Sequence, residues 1–276
     1  MTTMINTNLA SLNVQRNLAG SQGALNQAVQ RLSSGMRINS AKDDSAGLAI
    51  AERMNAQAKG MNVAIRNAND AVSLSQTAEG ALGKVSDMLQ RMRELSVQSA
   101  NATNSAGDRT NLNAEYDALG SEITRTLAGT KFNGVAMLGA AAGTLTFQVG
   151  AGTTANDTIA ITTTRLDNAA SVTAVTGATI TTAALATTAI TNLDTAIDAI
   201  TAERANYGAA QNRFESAIGV LQVASENTSA ARARITDADY AVETAALSRA
   251  QVLQQAGTAM LAQANQLPNS VLTLLR

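Results

Sequence analysis

The chain has 276 residues, a formal net charge of −1 and 15% charged residues, with 2% aromatics, a single proline at Pro268 and no Trp, Cys or His. Without Cys or His, the usual zinc and thiolate sites and the Ser-His and Cys-His nucleophiles are excluded; catalysis is left to carboxylate, Lys or Tyr chemistry, and no cofactor is expected. The near-neutral balance gives no electrostatic footprint for nucleic acid, and no apolar run is long enough for membrane insertion.

Met1-Thr-Thr-Met-Ile-Asn lacks the basic segment and apolar run of a secretory signal, so any export must read something other than a cleaved hydrophobic peptide. Residues 5 to 35 read as a first helix in which Val14, Leu18, Ser21, Leu25, Ala28 and Leu32 recur in steps of four and three. That is the spacing of a narrow coiled-coil seam. Gly20 and Gly23 each weaken the helix by up to about 1 kcal/mol relative to Ala, so it needs its seam buried. Gly35 is placed as its left-handed cap. In the connector that follows, Ser40-Ala-Lys-Asp43 has the form of a capping box with Asp for Glu, and Asp43 and Asp44 favour a helix N-terminus. The alternative, a catalytic or metal-binding Asp pair, has no other ligand-type cluster near it in sequence.

A long helix is expected from about Ala46 to about Ala100. Its stripe runs Met61, Ile65, Ala68, Val72, Ser75, Glu79 and Leu82, shifts phase by one step, and continues Val85, Leu89 and Met92. At 1.5 Å per residue this is a rod of roughly 80 Å, too long for a compact domain. Asn101 to Gly107 is a turn cluster, and a shorter helix, about Asp108 to Leu127, presents Leu112, Tyr116, Leu119 and Ile123 on one face. Phe132-Asn-Gly-Val135 carries a tight-turn dipeptide. The period then changes to two, with Leu145, Phe147 and Val149 and later Ile159 and Ile161, which predicts a small β-hairpin. Residues 162 to 189, rich in Thr, Ala and Ser, read as short strands or loop on the outer surface, with hydroxyls that are either glycosylation acceptors or simply exposed.

A second long helix begins at Ile190, with the stripe Leu193, Ile197, Ile200, Arg204, Tyr207, Gln211, Phe214, Ile218, Leu221, Ser225 and Thr228; it is the natural antiparallel partner of the first rod. Thr236 and Asp237 are placed as the cap of a final helix. Its seam, Leu253, Gly257, Met260, Ala264, Leu267, Val271 and Leu274, matches the N-terminal one, so the two ends read as two strands of one helical pair. The fold expected is mainly α: a long antiparallel α-helical coiled-coil bundle with a small β-hairpin region and paired N- and C-termini. The outer positions of the pair are mostly Asn, Gln, Ser, Thr and Ala, a surface suited to contact with more protein, as in a packed polymer.

Several segments, in order, resemble bacterial flagellin: Ile5-Asn-Thr-Asn-Leu-Ala, Leu32-Ser-Ser-Gly-Met-Arg-Ile-Asn-Ser-Ala-Lys-Asp-Asp, Gln90-Arg-Met-Arg-Glu-Leu-Ser-Val-Gln-Ser-Ala, Phe132-Asn-Gly, Gln211-Asn-Arg-Phe, Ser248-Arg-Ala-Gln-Val-Leu-Gln-Gln-Ala-Gly and Val271-Leu-Thr-Leu-Leu-Arg276. Larger flagellins carry outer domains in the middle, where this chain has only a Thr-rich hairpin region at about 140–189, so it resembles a minimal form. The resemblance implies an extracellular filament subunit for swimming motility, with residues 1–43 and 237–276 as an inner-tube helical domain and 44–236 as an outer-tube domain. It implies a homopolymer through the seam residues Leu18, Leu25, Leu32, Leu253, Met260, Leu267, Val271 and Leu274. It also implies export by the flagellar type III apparatus with a chaperone, and contact with cap and hook–filament junction proteins.

The resemblance further implies that Gln90, Arg91, Leu95, Gln98 and Glu115 match positions engaged by Toll-like receptor 5. Leu272, Leu274 and Leu275 resemble the segment read by export chaperones and cytosolic inflammasome receptors. Packing is the competing reading of both sets. A hook–filament junction protein has similar ends, but the closing Leu-Leu-Arg favours flagellin. An inserted metalloprotease, as some flagellins carry, needs a His that this chain lacks. A soluble helical adhesin is separated from flagellin by whether the purified subunit polymerises. Closing a loop of some 200 residues costs roughly 5 kcal/mol, and narrow seams bury little against it, so the termini are expected to order on assembly.

Overall fold

A computed structural model of the protein describes residues 7–140 and 142–274, with side-chain surroundings as far as Gln266. The first helix, α1, spans Leu9–Ser34. Asn8 caps it by accepting from the Ser11 N–H at 3.1 Å, and Gly35 ends it in the left-handed region at φ 69°, where a residue without Cβ is unstrained. The long helix α2 covers Ser45–Ala100. Its cap differs from the one expected. The Asp44 carboxylate accepts from Gly47 N–H at 2.8 Å, while Asp43 folds back onto Asn39 and Ser40 in a turn outside the helix. Those backbone N–H groups hold the Asp43 carboxyl below the usual carboxylate range. The cap needs glycine at 47, because a Cβ there would collide with the Asp44 carboxylate.

Helix α3, Ala106–Gly129, opens with a reciprocal capping box between Ser105 and Asp108. Strands β1 (Lys131–Phe132) and β2 (Val135–Ala136) pair across Asn133 (φ 49°) and Gly134 (φ 82°), both left-handed as the tight hairpin turn requires. Strands β3 (Thr144–Gln148) and β4 (Thr158–Thr162) form the antiparallel hairpin predicted from the alternation, with Leu145 opposite Ile161 and Phe147 opposite Ile159. The segment after it is not an outer loop. A short helix, α4 (Ala170–Thr176), is followed by α5 (Ala183–Thr236), which starts seven residues before Ile190. Leu166, Val172, Val175 and Ile180 are buried in the core, because Thr-rich stretches mask apolar residues spaced for a helix face. Helix α6 spans Tyr240–Leu274 and is capped by Asp239 accepting from Ala241 and Val242 N–H, not by Thr236 or Asp237. Helix α5 runs on through Thr236, whose hydroxyl bonds to Arg232 C=O and to Asp237.

The chain divides into two compact units, residues 1–56 with 227–276 and residues 57–226. In the second, the stripes of α2 and α5 face each other antiparallel. Gln211 donates to Glu79 at 2.9 Å, Ser225 to Asn62 at 3.2 Å, and Ser99 to Ile180 C=O at 2.5 Å. Ala68, Ser75, Leu82, Val85, Leu89 and Met92 are buried as their period predicts. The stripe is wider than a seam, because Ala71, Leu74, Ala78 and Leu95 on α2 and Ala189, Ala196 and Ala210 on α5 are buried as well. The additional width comes from α3, α4 and the β3–β4 hairpin laid over the helices. Phe147 meets Phe214 edge to face at 5.5 Å. Gly120 lets α3 approach α4 closely, since a Cβ there would meet Thr176 C=O at 3.2 Å.

Buried polar groups tie these layers. Tyr116 donates to Val175 C=O at 3.1 Å, and the carboxylate of Glu203, only 4% exposed, accepts from Thr164 N–H at 3.0 Å where the chain leaves β4. Tyr207 is fully buried, and its hydroxyl has no hydrogen-bond partner among the described residues. Burial pushes the Tyr116 phenol up to about 12 from its ordinary 10.0, and it pushes Tyr207 up as well. Their folded pKa values lie above the unfolded one, so their contribution to stability is whole below pH 10 and is lost as pH rises from 10 through about 12. Circular dichroism of monomer titrated with base is expected to show loss of helix across that window, less steeply in Tyr116→Phe than in wild type; equal slopes would contradict the assignment.

Candidate assembly interface

In the unit made of residues 1–56 and 227–276, α1 and α6 lie antiparallel. Asn8 donates to Ala264 C=O at 2.8 Å, Gln254 to Gln22 at 2.7 Å, and Arg31 to Glu243 at 2.9 Å, which fixes the register along the pair. The turns at one end are zipped together. Met36 bridges Asp237, Arg37 N–H donates to Thr236 C=O at 2.7 Å, and Ala238 N–H donates to Gly35 C=O at 2.9 Å.

On α1 the seam is where the sequence places it. Val14, Leu18, Ser21, Leu25 and Leu32 are half-buried and Ala28 is buried, with Ser11 continuing the row. On α6 the row facing α1 is a different one. Glu243, Leu247, Ala250, Gln254, Gly257, Leu261 and Ala264 turn inward, whereas Leu253 and Met260 are 54% and 60% exposed. The small residues decide this. A Cβ on Gly257 would stand 3.1 Å from Leu18, so Ala250, Gly257 and Ala264 let the two backbones approach, and the bulkier Leu253 and Met260 are turned to the flank. Leu267, Val271, Leu272 and Leu274 lie beyond the described side chains, and Leu275 lies outside the described residues altogether.

The Arg31–Glu243 pair is the one ionic contact found along this seam among the described residues; its side chains are 26% and 10% exposed. Around the seam, Leu9, Leu12, Val29, Val242 and Val252 are exposed together with Leu253 and Met260. No charged residue occurs between Ala250 and Leu275. An apolar groove lined by Val14, Leu18, Gly257, Met260 and Leu253 runs along the pair. Large apolar side chains exposed along a helical stretch without charge have the character of an interaction surface.

The five receptor-matching positions separate. Gln90 and Gln98 are exposed beside Arg93, Glu94 and Val97. Arg91 is exposed and bonds Glu115 and Glu94, each at 2.9 Å. Leu95 is fully buried in the core, so the reading of Leu95 as a contact residue is corrected: it points inward from α2 and supports the face without forming it. Arg93, which the sequence reading passed over, is exposed and bonds Asp194 on α5 at 2.7 Å. Among the described residues no helix is long and apolar enough to cross a membrane, and no three carboxylates gather as metal ligands would.

Residues 5–143 match the model of the bacterial flagellin N-terminal helical region, and residues 190–275 match that of the C-terminal helical region. The chain belongs to the bacterial flagellins. It is 45% identical over 273 residues to a flagellin of Halalkalibacterium halodurans, covering 99% of this chain and 100% of that one. It is 35% identical to polar flagellin F of Vibrio parahaemolyticus, with all of both chains aligned over 376 positions. The crystal structure of Bacillus cereus flagellin superposes with a TM-score of 0.50 at 35% identity, over 56% of this chain and 88% of that one. This flagellin is therefore a structural subunit of the extracellular bacterial flagellar filament and polymerises with other flagellin subunits. Its 276 residues fit a short form.

Removing one member of the half-buried pair strands the other. Filaments of Glu243→Ala are expected to be weakened by on the order of 2 kcal/mol per subunit and to depolymerise at lower temperature than wild type. Arg31→Met with Glu243→Met is expected to recover most of that loss. A scattering melt of purified filaments reads both, and unchanged melting in Glu243→Ala would refute a role for the pair in the terminal seam.

Proposed function

We propose that the paired termini form the inner tube of the filament and the intervening helices its outer tube, with expected bounds of 1–43 and 237–276 for the former and 44–236 for the latter. The observation that carries this reading is the α1–α6 pair, which has Arg31–Glu243 as its one ionic contact among the described residues and leaves Leu253, Met260 and Val252 exposed around a narrow seam. Such a pair buries too little to offset its own ordering, at about 1–2 kcal/mol of backbone entropy per residue, until neighbours cover the flank. The termini therefore order on assembly. On this reading the subunit leaves the cell unfolded, without a cleaved signal peptide, through the flagellar export apparatus and its chaperone. It then adds to the filament beneath a cap protein, beyond the hook–filament junction. The C-terminal Leu272, Leu274 and Leu275 are the proposed segment for the chaperone and for cytosolic inflammasome receptors.

Limited proteolysis is expected to trim roughly forty residues from each end of the monomer and to leave the same residues intact in filaments. Monomer with protease-resistant termini would defeat the ordering step.

A second reading rests on the exposed Arg91–Glu115 pair with Gln90 and Gln98: in the free monomer this face is recognised by Toll-like receptor 5. Arg91→Ala monomer is expected to lose at least about tenfold in receptor-reporter potency with its melting temperature unchanged, because an exposed ion pair contributes little to stability. Full potency in that variant would reject the reading.

A further inference from the structure

Within residues 57–226, a groove lies on each side of the β3–β4 hairpin. The first, of about 590 Å³, runs between the hairpin and α5 and is lined by Val149, Ile159 and Leu221, with Arg213 and Val220 on α5. The second, of about 460 Å³, runs between α2 and the two hairpins and is lined by Leu74, Phe132, Leu145 and Phe147, with Asp70 and Val135. Val220 is 67% exposed and Val135 is 44% exposed, so each groove presents apolar surface that this unit's own core does not cover.

The open charges of the grooves are opposite. Arg213 and Asp70 are both exposed, and neither belongs to an ion pair found among the described residues. Asp157, the other charge of the first groove, is committed to its own loop. It accepts from Gly152 and Thr154 N–H at 3.2 and 2.9 Å and from the Thr154 hydroxyl at 2.6 Å. Arg66, one turn from Asp70 on α2, is not part of the second groove's lining. Each groove thus pairs uncovered apolar surface with one open charge, positive at the first and negative at the second. A contact between two different patches is heterologous and propagates into a helical polymer where its rotation does not close a ring.

We propose that the Arg213–Val220 face of α5 on one copy docks over the Asp70 groove of a second copy. Val220 seats against Phe132 and Leu145, and the Arg213 guanidinium meets the Asp70 carboxylate. This rests on the polymer reading and names the surfaces that one of its subunit contacts uses.

The test compares elongation of sheared wild-type seeds by full-length wild type, Arg213→Glu, Asp70→Arg, a 1:1 mixture of the two single variants, and Val220→Asp, together with elongation of its own sheared filaments by the double variant. Each single reversal places like charges in the contact and is expected to raise the critical concentration for elongation about tenfold or more. The 1:1 mixture on wild-type seeds, and the double variant on seeds sheared from its own filaments, bring opposite charges back to the contact and are expected to elongate within about threefold of wild type. Val220→Asp is expected to fail as the single reversals do, and the helical circular-dichroism signal of every monomer is expected to match wild type, because all three positions are exposed. Wild type that does not elongate would overturn the polymer reading and the docking with it. Wild type that elongates while the single reversals behave identically to it would overturn the docking alone, as would a defect that neither the mixture nor the double variant restores. A foreign protein as occupant predicts that same indifference of elongation to charge reversal.

Discussion

The distance of closest approach between α1 and α6 governs most of what the terminal unit does. Ala28, Ala250, Gly257 and Ala264 lie on the line of contact, and at Gly257 the helices come so close that an added Cβ would stand 3.1 Å from Leu18. A seam of that kind gains packing density but buries few methylenes. It excludes Leu253 and Met260 from the interior of the pair and leaves them on its flank. The apolar surface exposed on the flank is thus a direct result of how the pair closes, and the lack of charge from Ala250 to Leu275 lowers the desolvation penalty of covering it.

The middle of the chain meets the same problem, two long antiparallel helical segments, with a different solution. There the stripe on α2 and α5 is two residues wide, and α3, α4 and the β3–β4 hairpin cover it. Tyr116, Ser99 and Glu203 anchor those layers through hydrogen bonds to backbone groups of Val175, Ile180 and Thr164, the first two fully buried and the third partly so. A core containing Tyr116, Tyr207, Phe214 and Phe147 concentrates most of the chain's six Phe and Tyr residues in one place. This unit carries the large buried core, whereas the terminal pair buries little and leaves Val252, Leu253 and Met260 exposed.

The short middle segment is also informative. Alignment with the Vibrio parahaemolyticus polar flagellin runs over 376 positions, against the 276 residues of this chain, while both chains align end to end. The additional length in the longer relative is therefore internal. The β1–β2 and β3–β4 hairpins and α4 are what this chain carries between α3 and α5, and the latter two act as core covering: Val149, Ile161, Val172 and Val175 are all buried.

Much of this was legible from residue order alone. Steps of three and four located α1, α2, α3, α5 and α6, alternation located the β3–β4 hairpin, Gly35 and Asn133-Gly134 marked backbone positions with positive φ, and the ordered terminal motifs pointed to the flagellin family. These are local or nearest-neighbour properties, set by the geometry of one helix or one turn. Three outcomes were not local. Which of two adjacent rows on α6 faces α1 was decided by how close the helices come, so the seam passes through Ala250 and Leu261 and leaves Leu253 and Met260 outside. Leu95 shares its segment with exposed Gln90, Arg91 and Gln98, yet the wide core beneath α2 takes it in completely. The Thr-rich stretch after β4 became α4 and the first turns of α5, because Val172, Val175 and Ile180 had a core to enter. Sequence period fixes which side chains share a face of a helix; only the tertiary structure, through the size of the groups across the gap, determines which face is turned inward.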